Sequence, residues 1–544
     1  MNDFAKTAAA IVLAAGLAGA AYMTAPHSVA DATFSDQGEV FFPAFADPLA
    51  AKSLEVISYD EPTATLTPFK VQFDGTRWVI PSHHNYPADA EANMSGAASV
   101  FIGLKKDLVV TDMASEHEAL GVLAPDDDKA PLSGRGTRVT LRDGSGATLS
   151  DLIIGKPVKG AQVGGQVYAR VPGKNRVYAV AFTKTITSNF ADWVQTDVLK
   201  LGGAQPVGLT VDRYQIDEQR GTKTTSETLK ITKAPEVAPA ISSDPNTPPP
   251  QMPRWTFSAN PGGGPGPNEA VNEAPIDDAM NTLRTMRIVG VRQKPEKLVK
   301  YFGAAAGDAP TGLGTLDLMN MGSKGFFATQ DGAFVANEGE VSIPCDDGVV
   351  YRLYFGELLM ASGDALSAGS DDIANAKGGD APADAAEGEA GKKSEPKGKE
   401  SRYMLATASF DATLLGPAPV APVAPQPPEG YDPAKPAAPA DGASGESAAL
   451  ATDSPEVAAY KAEKAKYDAE QSVYIQAANA HQVRVEAGKK RAETLRKNLA
   501  NWYYVIDAEA FNKLRPTRAA LVKLVEPVPV PVPAPASAPE PVGP

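Results

Sequence analysis

The adjacent pair His83-His84, with Asp89 and Glu91 a few residues on, has the residue types to hold zinc or iron through imidazole nitrogen and carboxylate oxygen. The spacing argues against it. Neighbouring side chains on extended chain point to opposite faces, no third histidine is near, and IPSHHNYPADAE reads as a loop leading from a strand into a helix. His117, between Glu116 and Glu118, has the setting of a solvated helix residue. Asp192 and Asp197 flank Trp193 and have the types of a general acid and base. A second Trp segment near the C terminus, NLANWYYVI, has Asn501 and Ile506 at the corresponding places, so packing of the Trp is the shared task. Cys345, in VSIPCDDG, has no histidine beside it and reads as an inert thiol. The run Asp126–Asp128 lacks the alternating ligands and glycine of a calcium loop and reads as a solvated turn.

Sequence signatures of catalysis are absent. There is no G-x-S-x-G elbow, no phosphate loop, no G-x-G-x-x-G and no H-E-x-x-H. Gly155-Lys156, Gly173-Lys174 and Gly391-Lys392 lack the upstream glycine that would curl a phosphate loop, and read as turns. No catalytic, cofactor-binding or metal-ligating residue is therefore assigned, no cofactor is expected, and the chain reads as a non-enzyme. A hydrolase using His83 or His84 is the weakest alternative.

The elements that carry these residues belong to a chain of 544 residues, long enough for about three domain-sized units. Hydrophobic residues make up 43% of it, enough for globular cores, while 47 prolines exceed the usual ~5% and point to linkers. A net charge of −15 argues against nucleic acid or an anionic membrane surface as the main partner. The lone Cys345 excludes an internal disulfide and a cysteine zinc site. Thr7–Met23 is an uncharged apolar run at the short end of what spans a bilayer, ~17–25 residues. It also fits an export signal cleaved at Ala18-Gly19-Ala20. The expectation is a membrane-anchored protein with its bulk outside the cytoplasm, the alternative a soluble periplasmic one after cleavage.

Strand and turn signals then repeat in order. SLEVISYD alternates as a strand, FKVQFDGTRWVI is a hairpin on Asp74-Gly75, and PADAEANMSGAASVFIGL a helix. HEALGV gives a short second helix ending at Gly121. RVTLRDGSGATLSDLIIGK and VYARVPGKNRVYAV give two more hairpins, and the segment with Trp193 closes the unit. Later, GLTVDRYQID answers the first strand and SETLKITK the second. Arg254-Trp255 answers Arg77-Trp78, DDAMNTLRTMRIVGV gives the helix, and PEKLVKYF the short one. EVSIPCDDGVVYRLYFGE answers the second hairpin, RYMLATASF part of the third, and NLANWYYVI the closing Trp segment. The spacing grows steadily through the pairs Leu54–Leu209, Arg77–Arg254, Val139–Val341 and Trp193–Trp502, as insertions into a second copy require.

The resulting organisation is an N-terminal anchor or signal at 1–30, a first module at 45–201, and a second at 205–357 and 401–412, closed by 499–518. Into the second fall a Pro/Gly-rich insertion at 234–272, a disordered one at 358–400, a Pro/Ala linker of polyproline character at 413–453 and a helical arm at 454–498. A Pro-rich tail follows at 525–544. Tyr460, Tyr467 and Tyr474 recur every seven residues along the arm, hinting at a coiled-coil seam, but Lys464 and Gln471 weaken it and an arm folded on its own domain is favoured. The expected fold class is α+β: two tandem modules of antiparallel β-hairpins with packed helices, plus an N-terminal transmembrane helix, a long helical arm and disordered linkers.

The stretches VTLRDGSGATLSDLIIGK, VYARVPGKNRVYAV and FADWVQTDVLKL together resemble the domain of unknown function 4340. GFFATQDGAFVANEGEV, VVYRLYFGE, RYMLATASFD and GKKRAETLRKNLANWYYVIDAEAFNKLR resemble its long two-copy members, so the resemblance covers most of Pro68–Arg518. It implies an anchored or exported protein, often encoded beside ABC-type transport components of the gliding-associated kind. The family has no established catalytic residues to carry over. The expected function is a non-catalytic accessory or binding subunit meeting ABC-type permease or ATPase subunits, with the membrane reached through Thr7–Met23. The alternative is an envelope scaffold tethered by the arm and the Pro-rich tail.

Overall fold

The computed structural model describes residues 7, 12–18, 36–62, 64–160, 165–182, 184, 186–195, 197–217, 222–234, 254–304, 312–329, 334–361, 366–368, 399–429, 431–432 and 454–524. The chain divides into two compact units, Met1–Val194 and Gln195–Pro544. The transmembrane helix expected at Thr7–Met23 is not supported. Of that segment only Thr7 and the short helical stretch 12–18 lie within the described residues, and no described helix is long and apolar enough to cross a membrane. The Pro-rich tail, 369–398 of the disordered insertion and 433–453 of the Pro/Ala linker lie outside the described residues.

The first unit is built on one antiparallel sheet. Its elements are β1 (Ser53–Asp60), β2 (Thr65–Phe73), β3 (Trp78–Ile80), β4 (Tyr86–Pro87), α1 (Glu91–Phe101), β5 (Leu108–Thr111), α2 (His117–Leu120), β6 (Thr137–Arg142), β7 (Thr148–Pro157), β8 (Gln166–Arg170) and β9 (Val177–Ala181). The strand order is β4-β3-β2-β1-β6-β7-β8-β9-β5, so the strand after α1 crosses to the far edge and pairs with the last one. Carboxylates close the turns: Asp74 accepts from the backbone of Thr76 and Arg77, and Asp143 from Ser145 and Ala147. Alternation puts Leu54, Val56, Phe69, Val71, Val139 and Leu141 on one buried face. Phe69 meets Trp193 there with ring centroids 5.7 Å apart. On the other face Ile153 and Val177 pack with Val122 from the chain after α2. Each such large aliphatic side chain contributes about 1.5–3 kcal/mol on burial.

The second unit repeats the plan. Its elements are β10 (Gly208–Asp217), β11 (Thr222–Lys233), β12 (Trp255–Asn260), β13 (Glu269–Val271), α3 (Ala274–Thr285), β14 (Ile288–Gln293), α4 (Glu296–Gly303), α5 (Thr315–Gly322), β15 (Phe326–Ala328), β16 (Phe334–Ala336), β17 (Glu340–Pro344), β18 (Val349–Ala361), β19 (Lys399–Phe410), α6 (Pro455–Ala500), β20 (Trp502–Asp507), α7 (Ala508–Leu514) and β21 (Val522–Leu524). The main sheet runs β12-β11-β10-β17-β18-β19-β20-β14; β13 pairs with β21, and β15 with β16. Strand for strand this is the order of the first sheet without its short edge strand β4.

Register tests the residue correspondences. Leu54 opposes Val71 as Leu209 opposes Ile231; two residues on, Phe73 opposes Trp78 as Lys233 opposes Trp255. Val139 opposes Leu152 as Val341 opposes Leu353. The pairing Trp193–Trp502 fails. Ala169 opposes Tyr178 and Met404 opposes Tyr504, so Trp502 opens the last strand, whereas Trp193 lies beyond the end of its counterpart β9. Shared aromatic composition had suggested an equivalence that the ladder denies.

Three further expectations change. The helix read through DDAMNTLRTMRIVGV stops at Thr285, because Met286 turns extended and the β-branched Ile288, Val289 and Val291 enter β14. The Pro/Gly-rich insertion contains β12 and β13. Part of the Pro/Ala linker is ordered along α6. Its half-buried positions Pro419, Pro422, Pro425, Pro428 and Tyr431 recur every third residue, the period of polyproline II. Tyr431 packs on Tyr460 with centroids 5.5 Å apart. At ~3.1 Å per residue the stretch from Gly416 to Tyr431 covers about 45 Å, which matches the ~42 Å from Gly488 to Tyr460 on the helix. Tyr467, Tyr474 and His481, the heptad positions between, are half-buried.

Candidate binding pocket

The residues suited to chemistry are dispersed and each has a structural task. His83 is 1% exposed, its ring stacked on Phe190 at 4.5 Å and its Nδ1 2.9 Å from the Ser82 hydroxyl. His84 adopts left-handed φ (56°) and leaves the direction of His83. Asp89 meets Trp193 through its backbone N–H, and Glu91 starts α1. No group of three or more His, Cys, Asp or Glu able to hold a metal occurs among the described residues. His117 is buried rather than solvated, with Nε2 2.8 Å from the Asn175 carbonyl. Asp192 accepts from the Thr187 hydroxyl at 2.9 Å, and Asp197 from the Leu201 N–H at 3.1 Å; each closes a local turn. Asp126 pairs with Arg138 at 2.9 Å, and Asp127 accepts from Lys129 N–H. Burial pushes the Cys345 thiol up to about 12, helped by Asp347 and Asp346, so the thiolate needed of a nucleophile is suppressed.

Gly155, read as turn chemistry, instead lies inside β7 at a bulge, where the β7–β8 register shifts between Ile154 and Pro157. A Cβ there would strike the Leu120 carbonyl and Val122, so only glycine lets the strand press onto the chain after α2. Gly356 in β18 repeats the device: the β18–β19 register shifts between Phe355 and Leu358, and a Cβ would strike the Lys324 carbonyl. Gly121 and Gly325, both at positive φ, stand opposite these bulges.

Beside the first bulge, on the Ile154 face, lies a cavity of about 570 Å³. Its floor is Thr137 and Val139 of β6 with Ile154 of β7; Pro157 and Val167 form one wall, and Phe182 and Ile186, after β9, the other. Gln166 is its other polar side chain, and no lining residue is titratable. Its size and its apolar side chains, set among exposed backbone polar atoms and Thr137 and Gln166, suit a ligand that brings an apolar or aromatic group together with polar ones. No lining side chain is a titratable acid or base that could activate the Thr137 hydroxyl. The sequence contained the bulge signal, IIGK answered by YFGE, but not the cavity.

The profile of the family described as Domain of unknown function (DUF4340) matches residues 78–303. Those residues carry the DUF4340 domain. The DUF4340 match begins at β3 and ends with α4, so it contains the cavity and takes in the end of the first unit and the beginning of the second. No curated protein and no solved structure matches the chain.

Proposed function

We propose that the protein is a non-catalytic binding protein, an accessory subunit of an ABC-type transport system, working outside the cytoplasm. The observation that carries the binding role is the open cavity within the DUF4340 segment, lined mainly by apolar side chains and holding no titratable one. The dispersal of His83, His117, Asp192 and Cys345 into packing and turns supports a non-enzymatic reading. The transport assignment draws on the likeness to two-copy DUF4340 proteins, and the export assignment on the apolar run Thr7–Met23 with its Ala18-Gly19-Ala20 site. A scaffold role is the second reading, favoured by the polyproline stretch laid along the exposed helix α6.

Isolation of the full-length chain from native cells in mild detergent, with mass spectrometry of the eluate and of its N-terminal peptide, tests this. Co-eluting ATPase and permease subunits and an N terminus beginning after Ala20 are expected. Recovery of the chain alone, with transport intact after its deletion, would overturn the accessory role.

A further inference from the structure

We propose that the cavity of the first unit receives an aromatic side chain presented by a short acidic amphipathic helix of a partner protein. This rests on the binding role proposed above and not on the transport assignment.

The second unit shows what the same sheet position accepts. Ile154 and Phe355 each precede the bulge glycine, and the ladders then match Val139 with Val341, Pro157 with Leu358 and Val167 with Arg402. At that position α7 lays Phe511 against Phe355, ring centroids 5.3 Å apart and planes at 78°. The guanidinium carbons of Arg402 and Arg515 lie 4.6 and 4.7 Å from the Phe511 ring centre. Glu338 pairs with both arginines, at 3.1 and 3.4 Å. Phe511 is 8% exposed and Phe355 fully buried. The second unit thus fills its own position with an aromatic side chain from a short helix that follows the last strand.

Among the described residues the first unit shows no such filler. After β9 no helix occurs among the described residues before the single turn Phe190–Asp192, and Phe182 and Ile186 stand as walls instead of a plug. The smaller Ile154 and Val167 replace Phe355 and Arg402, which leaves the position open by about 570 Å³. An aromatic ring there would bury its faces against Ile154 and Val167 and find in Phe182 an edge or offset partner. The charge pattern gives the rest of the partner. No lining residue carries a carboxylate, and the nearby Asp107 carboxylate is engaged by the Ala181 N–H at 3.1 Å. Lys159 beside Val158 and Lys184 between Phe182 and Ile186 are exposed cations, Lys184 with its amine over Gly96 of α1. A helix with acidic flanks complements them, where α7 with Lys513 and Arg515 would be repelled.

The test uses labelled peptides of residues 506–518, which contain α7, and fluorescence anisotropy with the full-length protein. One peptide has the native sequence, one carries K513E and R515E, and one carries F511A in addition. The acidic aromatic peptide should bind at least tenfold tighter than the native one, and the F511A peptide should not bind. Val167→Glu sets a carboxylate against the acidic flanks and Ile154→Trp fills the floor of the cavity, and each should weaken the acidic peptide at least tenfold. Unchanged thermal unfolding of either variant establishes that the site, not the fold, was altered. Equal binding by wild type and a folded variant, or no binding of any peptide at millimolar concentration, overturns the proposal. Binding of a small apolar dye that Ile154→Trp abolishes, without peptide binding, also overturns it and leaves the binding role standing. Peptide binding with no transporter subunit in the native eluate upholds it and removes only the transport assignment.

Discussion

The amine of Lys294 lies 2.5 Å from the carbonyl oxygen of Trp502, and 3.1 Å from that of Ala500. It is 3% exposed and holds the last carbonyls of α6 just as the chain turns into β20. Its Nζ also stands 4.9 Å from the centre of the Tyr503 ring. Buried carbonyls at a helix end need donors, and here one lysine supplies them. Lys294→Met keeps the stem's packing and removes the donors, so it should destabilise the second unit by about 1–3 kcal/mol. Burial pulls the Lys294 pKa well below its usual 10.5. A group depressed in the folded state favours folding more as pH rises toward the unfolded value. The wild-type advantage over Lys294→Met, measured by urea unfolding, should therefore grow between pH 7 and 10; a flat difference would show that the amine does not titrate with folding.

The paired bulges make a second prediction. Gly155→Ala and Gly356→Ala each place a methyl group against a backbone carbonyl that cannot swing away. Each should cost about 1–3 kcal/mol. Gly203→Ala is the control, because nothing lies within 4 Å of the added Cβ, and it should change stability by less than ~0.5 kcal/mol. Chemical denaturation of the three variants compares them directly. Equal effects at all three positions would mean that the bulges do not need glycine.

How much of this was legible depends on whether the information is local. The Trp78–Trp255 correspondence was legible because each Trp begins a strand that follows a long alternating one. Trp193 and Trp502 misled because an aromatic cluster records burial but not register. The start of β14 was lost inside an apolar run that satisfies helical and strand periods alike. Pro419, Pro422, Pro425 and Pro428 announced polyproline II, yet nothing local says that they lie along Tyr467 and Tyr474. The transmembrane expectation rested on composition, and no described helix is long and apolar enough to bear it out. The cavity was the least legible feature, since it comes from a missing element. Only comparison with Phe511 draws notice to the absence of a helix directly after β9 among the described residues.

Phe511 therefore offers a direct check on the duplicated position. Phe511→Ala removes a ring packed on Phe355 and capped by Arg402 and Arg515. The cost should be about 3–5 kcal/mol. Burial and the neighbouring Arg213 and Arg402 already hold the Arg515 pKa down to about 10, so the arginine depends on that packed setting. The variant should open a site in the second unit that binds the peptide with unaltered Phe511, shown by a doubled binding stoichiometry for the acidic form. Unchanged stability would mean that the ring is not a plug.

The arm gives a fourth prediction. Tyr460→Ala breaks the contact with Tyr431 that holds the end of the polyproline stretch. Backbone amides of α6 between Pro455 and Tyr474 should exchange with solvent at least tenfold faster, while those from Ala492 to Ala500, packed on β19 and α4, should be unaffected. Mass-spectrometric hydrogen exchange resolves the two halves. Uniform acceleration along α6 would show that the helix unfolds as one piece.

Cys345 reports on the second unit from inside. Its side chain is fully buried at the end of β17, and its thiol is raised in the folded state from an ordinary 9.0 to about 12. The thiol should resist a disulfide reagent at pH 8 and react only as the unit opens, so its labelling rate measures opening. The sign of the pH dependence follows from the raised value. Below pH 9 the thiol is protonated in both states and its contribution is intact. Between 9 and 12 the unfolded chain releases a proton that the folded chain keeps, so this contribution falls by up to ~1.4 kcal/mol per pH unit. Cys345→Ala lacks that titration. The stability of wild type relative to Cys345→Ala should decline above pH 9, and a difference that stays constant to pH 10.5 would mean that the folded thiol ionises normally.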